Sequence, residues 1–289
     1  MRKTSIITVA NQKGGVGKTT TVVNLASSYS AMGKKVLIVD TDHQANASLG
    51  LGLEKQVGID GLNLYTAIQN NLTIEEVALP TKVKNISMVA ACDALEELGK
   101  KLIGLPQQNV IMDKLLNSKK IDEFNIVIID THPSIDTYFQ AAMKTSHYYL
   151  VPLFAEAYST SGLKRQINAI EQIRIHLNPM LTCLGAVITN FKKKPIHIHF
   201  EKVIRDIAKN SGFKVLNTVI PHSDAVSSAE SHRLPLNAYR NSKALPVTHA
   251  YAALAGEILP ELKGKRMGRK HAPINVEKFE TNIEMGLEL

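Results

Sequence analysis

A glycine-rich segment near the start of the chain constrains its fold more than any other feature. Residues 13–20 read Lys-Gly-Gly-Val-Gly-Lys-Thr-Thr and follow an apolar, β-branched run at residues 6–9. Glycines at three of four consecutive positions let backbone N–H groups turn inward without interference from Cβ atoms, as a bound phosphate requires. The pattern predicts a strand, a phosphate-binding loop and a helix over residues 20–32, whose N-terminus adds positive potential.

The polar side chains of this loop have distinct predicted roles. Lys18 is expected to place its ammonium group on the β- and γ-phosphates, and Thr19 to offer its hydroxyl to Mg²⁺. The usual phosphate-loop pattern begins with a glycine, where this chain has Gln12. Lys13 follows at the head of the loop, and a solvated loop lysine is the simpler interpretation of that residue.

The segment resembles the deviant Walker loop of the ParA/MinD ATPases. In that family the first lysine reaches across a dimer interface to the partner's nucleotide, so the resemblance implies that Lys13 acts in trans. It also implies ATP and Mg²⁺ as cofactors. The predicted phosphate contacts are Lys13, Gly14, Gly15, Val16, Gly17, Lys18, Thr19 and Thr20.

Two later apolar segments each end in an aspartate. Residues 35–39 predict a strand that leads into Asp40, and residues 124–130 predict a buried strand that ends at Asp130. Ligands of open parallel sheets bind beyond the carboxyl ends of the strands, so both acids should face the phosphate loop. Asp130 is predicted to hold Mg²⁺ directly or through water, whereas a helix cap is the simpler alternative for either acid.

Residues 40–46 resemble the D-x-D-P-Q-x-N segment of the same family. That resemblance implies that Asp40 positions or activates the water that attacks the γ-phosphate. Asp42 would support the loop or contact Mg²⁺ through water. We therefore expect Lys13, Lys18 and Asp40 to be the catalytic residues.

Two histidines stand where the family has proline. His43 occupies that position in the segment just described, and His132 occupies it in residues 131–134, which resemble the family's T-P-P-S. Because imidazole titrates near neutral pH and binds metals, the two could form a pH-sensitive or metal-binding pair. The alternative is that each histidine fills the volume of a proline.

The rest of the chain repeats strands and helices. Strands are predicted at residues 86–89, 147–152, 184–190 and 214–220, and helices near 64–70, 74–79 and 162–176, the last preceded by Glu156. This alternation predicts an α/β fold with a doubly wound, mostly parallel sheet flanked by helices on both faces, as in P-loop NTPases. The resemblance implies adenine contacts just beyond the last two strands, at Asn190, Pro221 and His222.

The formal charge of +8 and the pI near 9.3 permit binding to a polyanion, but they do not choose between nucleic acid, membrane and acidic protein. Basic clusters are often only solvated surfaces. The family's I-P-R-N-V-R-x-S loop has lost both arginines here, to His222 and Ala225. The candidate DNA-binding residues are Lys192, Lys193, Lys194, Arg233 and Arg240.

Residues 1–262 are expected to form one ATPase domain that ends with a helix over residues 250–262. Residues 263–289 are expected to form an extension, first basic and then acidic, that could dock on a partner. No apolar run approaches the roughly 20 residues of a membrane helix, and the first strand begins too early for a signal peptide. We therefore expect a cytoplasmic protein, and the resemblance implies that it associates with the nucleoid. Cys92 and Cys183 lack metal-site spacing and are expected to be reduced thiols.

The resemblance implies a partition ATPase whose cargo is a plasmid or a chromosome. Its ATP-bound homodimer would bind double-stranded DNA nonspecifically, and a ParB-like partner would stimulate hydrolysis. The main alternative is a MinD-like or other positioning ATPase that acts on a membrane or a protein array. Glutamates around the apolar residues of the tail disfavour an anionic membrane. A nitrogenase-reductase-like enzyme would need cluster cysteines that Cys92 and Cys183 do not supply.

Overall fold

The computed structural model describes residues 4–109, 111–156, 159–239, 241–262 and residue 274. Arg240 and nearly all of the predicted extension lie outside the described residues. The division of the chain at residue 262 therefore stays a prediction.

Eight strands form one sheet in the order β3-β4-β2-β5-β1-β6-β7-β8. Neighbouring strands run parallel, except that the edge strand β3 is antiparallel to β4. The strands are β1 (Ser5–Val9), β2 (Val36–Asp40), β3 (Leu79–Pro80), β4 (Ile86–Val89), β5 (Ile126–Asp130), β6 (Tyr148–Phe154), β7 (Thr182–Phe191) and β8 (Val215–Pro221).

The helices connect these strands. In chain order they are α1 (Lys18–Ala31), α2 (Asn46–Gly50), α3 (Leu64–Gln69), α4 (Ile74–Val77), α5 (Leu95–Leu102), α6 (Ile111–Leu116), α7 (Thr137–Thr145), α8 (Ser159–His176), α9 (Pro195–Ser211), α10 (Ala225–Ser231) and α11 (Leu245–Leu262). The prediction of a doubly wound, mostly parallel sheet is confirmed. Helices α2, α5, α6, α7 and α10 were not predicted.

Alternate residues of the central strands bury against different helices. In β1 and β5, Ile7 and Ile128 join a core with α1 and α11, whereas Ile6 and Val127 join a second core with α3 to α7. Successive side chains of a strand point to opposite faces, so the sheet is covered on both sides. A third core joins β6 and β7 to α8 and α9. This burial on both faces explains why the central strands read as unbroken apolar runs.

The register of the central strands fixes the location of the acidic residues. Val9 of β1 pairs with Asp130 of β5, and Asp130 also pairs with Asp40 of β2. The phosphate loop leaves β1 at this same edge. The carboxyl ends of three adjacent buried strands therefore bring the loop and both aspartates together.

Within the described residues, no helix has both the length and the apolar character to cross a membrane. Both cysteines are free thiols, with Cys92 buried and Cys183 partly exposed at its surface. Burial raises the pKa of Cys183 to about 12 and also raises the pKa of Cys92. Neither thiol is therefore a good nucleophile or metal ligand at neutral pH.

Candidate nucleotide site

The glycine-rich loop has the backbone conformation that its sequence predicts. Gly15 and Gly17 have φ angles of 74° and 80°, in the left-handed region that other residues rarely adopt. Gly17 directly precedes α1, which begins at Lys18, two residues earlier than predicted. The Thr189 hydroxyl donates to the Val16 carbonyl at 2.8 Å, so the end of β7 holds the loop in place.

Lys18 lies among the predicted acidic residues. Its side chain is buried, which lowers the pKa of its ammonium group, while the nearby carboxylates of Asp130 and Asp42 oppose that change. Its Nζ lies 3.5 Å from the Lys13 carbonyl oxygen, inside the curve of the loop. The ammonium group is therefore placed where a phosphate bound by the loop would meet it.

Asp130 is fully buried, and neither of its carboxylate oxygens has a hydrogen-bond partner among the described residues. Burial raises its pKa well above the ordinary value; Asp40 and Asp42 add to the rise, whereas Thr19 and Lys18 oppose it. A buried carboxylate without a hydrogen-bond partner, next to a threonine hydroxyl, is chemically suited to hold a bound cation. The side chains of Asp130 and Thr19 therefore fit a Mg²⁺ site.

Asp40 lies at the end of β2 as predicted, but its carboxylate contacts other parts of the chain than the predicted role requires. Its carboxylate is fully buried and accepts hydrogen bonds from the Ser48 hydroxyl at 2.7 Å, the Ser48 N–H at 3.0 Å and the Asp42 N–H at 3.1 Å. Burial raises the pKa of Asp40 to about 7 despite these bonds. The carboxylate thus holds the start of α2 and does not line the cleft, so this geometry favours a structural role over the predicted positioning of the attacking water.

Asp42 faces the cleft instead. One of its carboxylate oxygens, Oδ1, accepts the Gln44 N–H at 3.0 Å, and no hydrogen bond to Oδ2 exists within the described part of the chain. Asp42 lines the same cleft as Gly14, Gly15 and Lys18. The second acid of the segment is therefore the carboxylate that can reach a ligand on the loop.

Lys13 has a different environment from Lys18. Its ammonium group lies 3.1 Å from a carboxylate oxygen of Glu156 and 5.7 Å from the centre of the Phe154 ring. It is absent from the residues that line the cleft, although its loop neighbours Gly14 and Gly15 are present. Lys13 therefore turns away from the cleft of its own chain.

The two unexpected histidines lie in contact. The rings of His43, after β2, and His132, after β5, have their centres 4.5 Å apart with a 38° tilt. Nδ1 of His132 lies 2.9 Å from the Ser134 hydroxyl. The neighbouring strand ends thus bring together two side chains that are 89 positions apart in sequence.

The cleft itself has a volume of about 600 Å³. One wall, which the sequence did not reveal, comes from α10 and the residues after it; there Glu230 accepts a hydrogen bond from the Thr20 hydroxyl at 2.9 Å. Asn46, Leu49 and Gly50 of α2 form another wall. The lining residues Leu49, Gly50 and Glu230 belong to none of the motifs described above, and their proximity to the loop arises from packing.

The predicted adenine contacts lie together at the ends of β7 and β8. Nδ1 of His222 lies 2.6 Å from Oδ1 of Asn190, whose φ angle is 53°. Pro221 pairs with Phe191 in the sheet. Thr189, the residue before Asn190, donates a hydrogen bond to the phosphate loop, so Asn190 is one residue away from a loop contact. Their contact with a base stays a prediction.

The candidate DNA-binding residues are not one cluster. Lys193 and Lys194 are exposed and Lys192 is partly buried, just before α9. Arg233 instead forms an ion pair with Glu54 and lines the cleft, and no described contact joins it to the three lysines. The Arg233 side chain is 53% exposed, and its contact with DNA stays a prediction.

A phosphate loop, a magnesium-type acid on the adjacent strand and a doubly wound sheet define a P-loop nucleoside triphosphatase. The family model described as "AAA domain" matches residues 4–183. The chromosome partitioning protein ParA of Caulobacter vibrioides is 31% identical over 88% of this chain and 93% of its own length. The chain therefore belongs to the ParA/Soj family of ATPases.

Further similarities agree with this assignment. The sporulation initiation inhibitor protein Soj of Bacillus subtilis is 32% identical over 81% of this chain and 90% of its own length. A solved structure of cobyrinic acid a,c-diamide synthase from Mycobacterium smegmatis, with a bound ATP analogue and magnesium, matches with a TM-score of 0.76. It is 26% identical and covers 93% of this chain and 100% of its own.

Proposed function

We propose that this chain is a DNA-partitioning ATPase, with ATP and Mg²⁺ as cofactors, that acts as an ATP-bound homodimer. The observation that carries the proposal is the position of Lys13, which belongs to the phosphate loop but does not line its cleft. A loop lysine that turns away from its own nucleotide is available to the nucleotide of a second copy. The site of one chain would then be completed by its partner.

The chemistry follows from the remaining residues. Mg²⁺, when bound, neutralises phosphate charge, and Asp130 with Thr19 would hold it. Lys18 stabilises the β- and γ-phosphates. Asp42 orients a water molecule toward the γ-phosphate, because its carboxylate is the one that faces the cleft. Phosphoryl transfer needs mainly such positioning and charge balance, and no covalent intermediate with the protein is required.

In a chain without a dimer partner, Lys13 pairs with Glu156. Both side chains are well exposed, at 40% and 46%, so the pair contributes at most about 1 kcal/mol. A γ-phosphate of a partner chain competes easily with such a weak contact. ATP would therefore favour the dimer, and hydrolysis would return Lys13 to Glu156.

The dimer is proposed to bind double-stranded DNA nonspecifically and to release it when a ParB-like partner stimulates hydrolysis. The exposed lysines before α9 support binding to phosphates. The relatives named for chromosome partitioning support the same role. The protein would then be found in the cytoplasm, on the nucleoid.

The proposal is tested by DNA retention of the full chain with Mg²⁺ and either ATP, a slowly hydrolysed analogue or ADP, across a salt series. Retention is expected with ATP and the analogue only, together with a shift from monomer to dimer in light scattering. Lys13→Ala should abolish both, whereas Lys35→Ala, which removes an exposed lysine elsewhere, should not. Equal retention with ATP and ADP at low salt would contradict the partition function.

A further inference from the structure

We propose that Asp42, His43 and His132 form a binding site for a transition-metal ion such as Zn²⁺, separate from the Mg²⁺ site. One ligand atom from each of the three residues can be chosen so that all lie within 4.8 Å of one another. Among the described residues, these three side chains form a cluster with the composition of a metal site. The site comes from two loops that follow neighbouring parallel strands.

The ligand types select the metal. Imidazole nitrogens suit Zn²⁺, Cu²⁺ and Ni²⁺, whereas Mg²⁺ prefers oxygen ligands and octahedral geometry. Two histidines and one carboxylate form a common ligand set for zinc, with a fourth position left for water or a phosphate oxygen. The oxygen-rich surroundings of Asp130 therefore suit Mg²⁺, and the paired imidazoles suit a softer cation.

Hydrogen bonding prepares His132 to be a ligand. The Ser134 hydroxyl donates to Oδ2 of Asp136 at 3.3 Å, so it accepts from Nδ1–H of His132 at 2.9 Å. The lone pair of His132 then lies on Nε2. A carboxylate that orients a histidine in this way, here through a serine, is the usual second layer of a metal site.

The separation of the ligand atoms is compatible with metal binding. Zn–N distances of 2.0–2.1 Å in a tetrahedral site place ligand atoms about 3.3 Å apart. The ligand atoms lie within 4.8 Å of one another here, so a tetrahedral site requires them to move closer together by about 1.5 Å at most. His43 can make this adjustment because it is half-buried and its imidazole has no hydrogen bond in the described parts of the chain.

The surrounding charge favours a cation. Glu96 of α5 is paired with Lys100 and also lies close enough to both imidazoles to interact with them electrostatically. Asp136 lies close enough to His132 for the same kind of interaction. Three carboxylates, those of Asp42, Glu96 and Asp136, thus lie near the two imidazoles. The nearby positive charges are the ammonium groups of Lys18 and Lys100.

The proposal predicts one Zn²⁺ ion per full-length chain without nucleotide, measured by calorimetry and not displaced by millimolar Mg²⁺. Co²⁺ should give the intense visible absorption of a tetrahedral site. The variant His43→Pro/His132→Pro should weaken Zn²⁺ binding by about 100-fold or more. A matched double variant, His197→Ala/His199→Ala, removes two histidines of α9 and should bind Zn²⁺ as the original chain does.

Ser134→Ala keeps all three ligands and should weaken binding about tenfold, which tests the site even if the proline variant folds poorly. Unchanged Zn²⁺ affinity in both His43→Pro/His132→Pro and Ser134→Ala would overturn the proposal. Binding of Co²⁺ with only the weak absorption of an octahedral complex would also overturn it.

A consequence for hydrolysis rests on the proposed function. A cation that binds Asp42 occupies the carboxylate that orients water, so one equivalent of Zn²⁺ should slow ATP hydrolysis. In the variant His43→Pro/His132→Pro, Zn²⁺ should leave the hydrolysis rate at the value that the same variant has without metal. Stoichiometric Zn²⁺ binding without inhibition would leave the metal site intact and contradict the role of Asp42.

Discussion

The ends of β1, β2 and β5 differ sharply from the ends of β7 and β8. At the first edge, the functional side chains are buried, close together and fixed by backbone register, as in the pairing of Asp40 with Asp130. At the second edge, Lys193 and Lys194 are exposed, and His222 stands where the family has an arginine. Nucleotide chemistry needs fixed geometry, whereas nonspecific binding to DNA needs only positive charge.

The largest expected effect lies at the first edge. Asp42→Ala should reduce ATP hydrolysis by about 10² to 10⁴-fold, because the carboxylate that orients the attacking water is lost. ATP binding should persist, so the variant should collect as an ATP-bound dimer. Stimulated turnover and fluorescent-nucleotide binding measure the two effects. Hydrolysis at the original rate would remove Asp42 from the mechanism.

Asp40 should behave as a structural residue. Asp40→Ala removes the acceptor for two N–H groups and the Ser48 hydroxyl, so the free energy of unfolding should fall by about 1–3 kcal/mol. For a chain of this size, the melting temperature should fall by about 2–4 °C per kcal/mol. Thermal unfolding without nucleotide provides the measurement, with Asp42→Ala as the comparison. An unchanged melting temperature for Asp40→Ala together with complete loss of hydrolysis would restore the catalytic interpretation of Asp40.

The second edge should respond gradually. Changing Lys192, Lys193 and Lys194 together to alanine should lower the slope of log affinity for DNA against log salt by about 2 to 3, and leave ATP binding intact. A matched control removes three exposed lysines elsewhere, with Lys35→Ala, Lys55→Ala and Lys101→Ala. Equal losses in both variants would mean that overall charge, and not this surface, determines DNA binding.

The smallest effect concerns the missing arginines. His222→Arg should raise the same slope by about 0.9, the value for one added phosphate contact. An arginine cannot be introduced at residue 225 in the same way, because Ala225 is only 7% exposed and packs in the core with α11. His249→Arg adds an equal charge at an exposed position of α11 and serves as the control. If the control raised the slope more than His222→Arg does, the end of β8 would not be part of the DNA-binding surface.

The sequence predicted the sheet well because its signals are local. Unbroken apolar runs of four residues mark strands that are buried on both faces, as in β5, where Asp130 follows the run. Helix α5 was missed although its apolar side is buried, because its eight residues give only about two turns of periodic pattern. The early start of α1 at Lys18 was missed because the loop glycines concealed the helix boundary.

The candidate site was predicted in part. The roles of the loop residues follow from types and spacing, and Asp130 lies beside Lys18 as its position after a buried strand indicated. The choice between Asp40 and Asp42 could not be made from sequence, because both fit the same motif. Only the hydrogen bonds from Ser48 show which carboxylate is occupied.

The sequence by itself determined the phosphate loop, the acidic strand ends and the family of the chain, since these depend on backbone conformation and on residues close in sequence. The tertiary structure decided the contacts between distant segments. It placed Lys13 on Glu156, 143 positions away, and the ring of His43 against that of His132. Such contacts depend on how strands and loops pack in three dimensions, and no local pattern of residues records that packing.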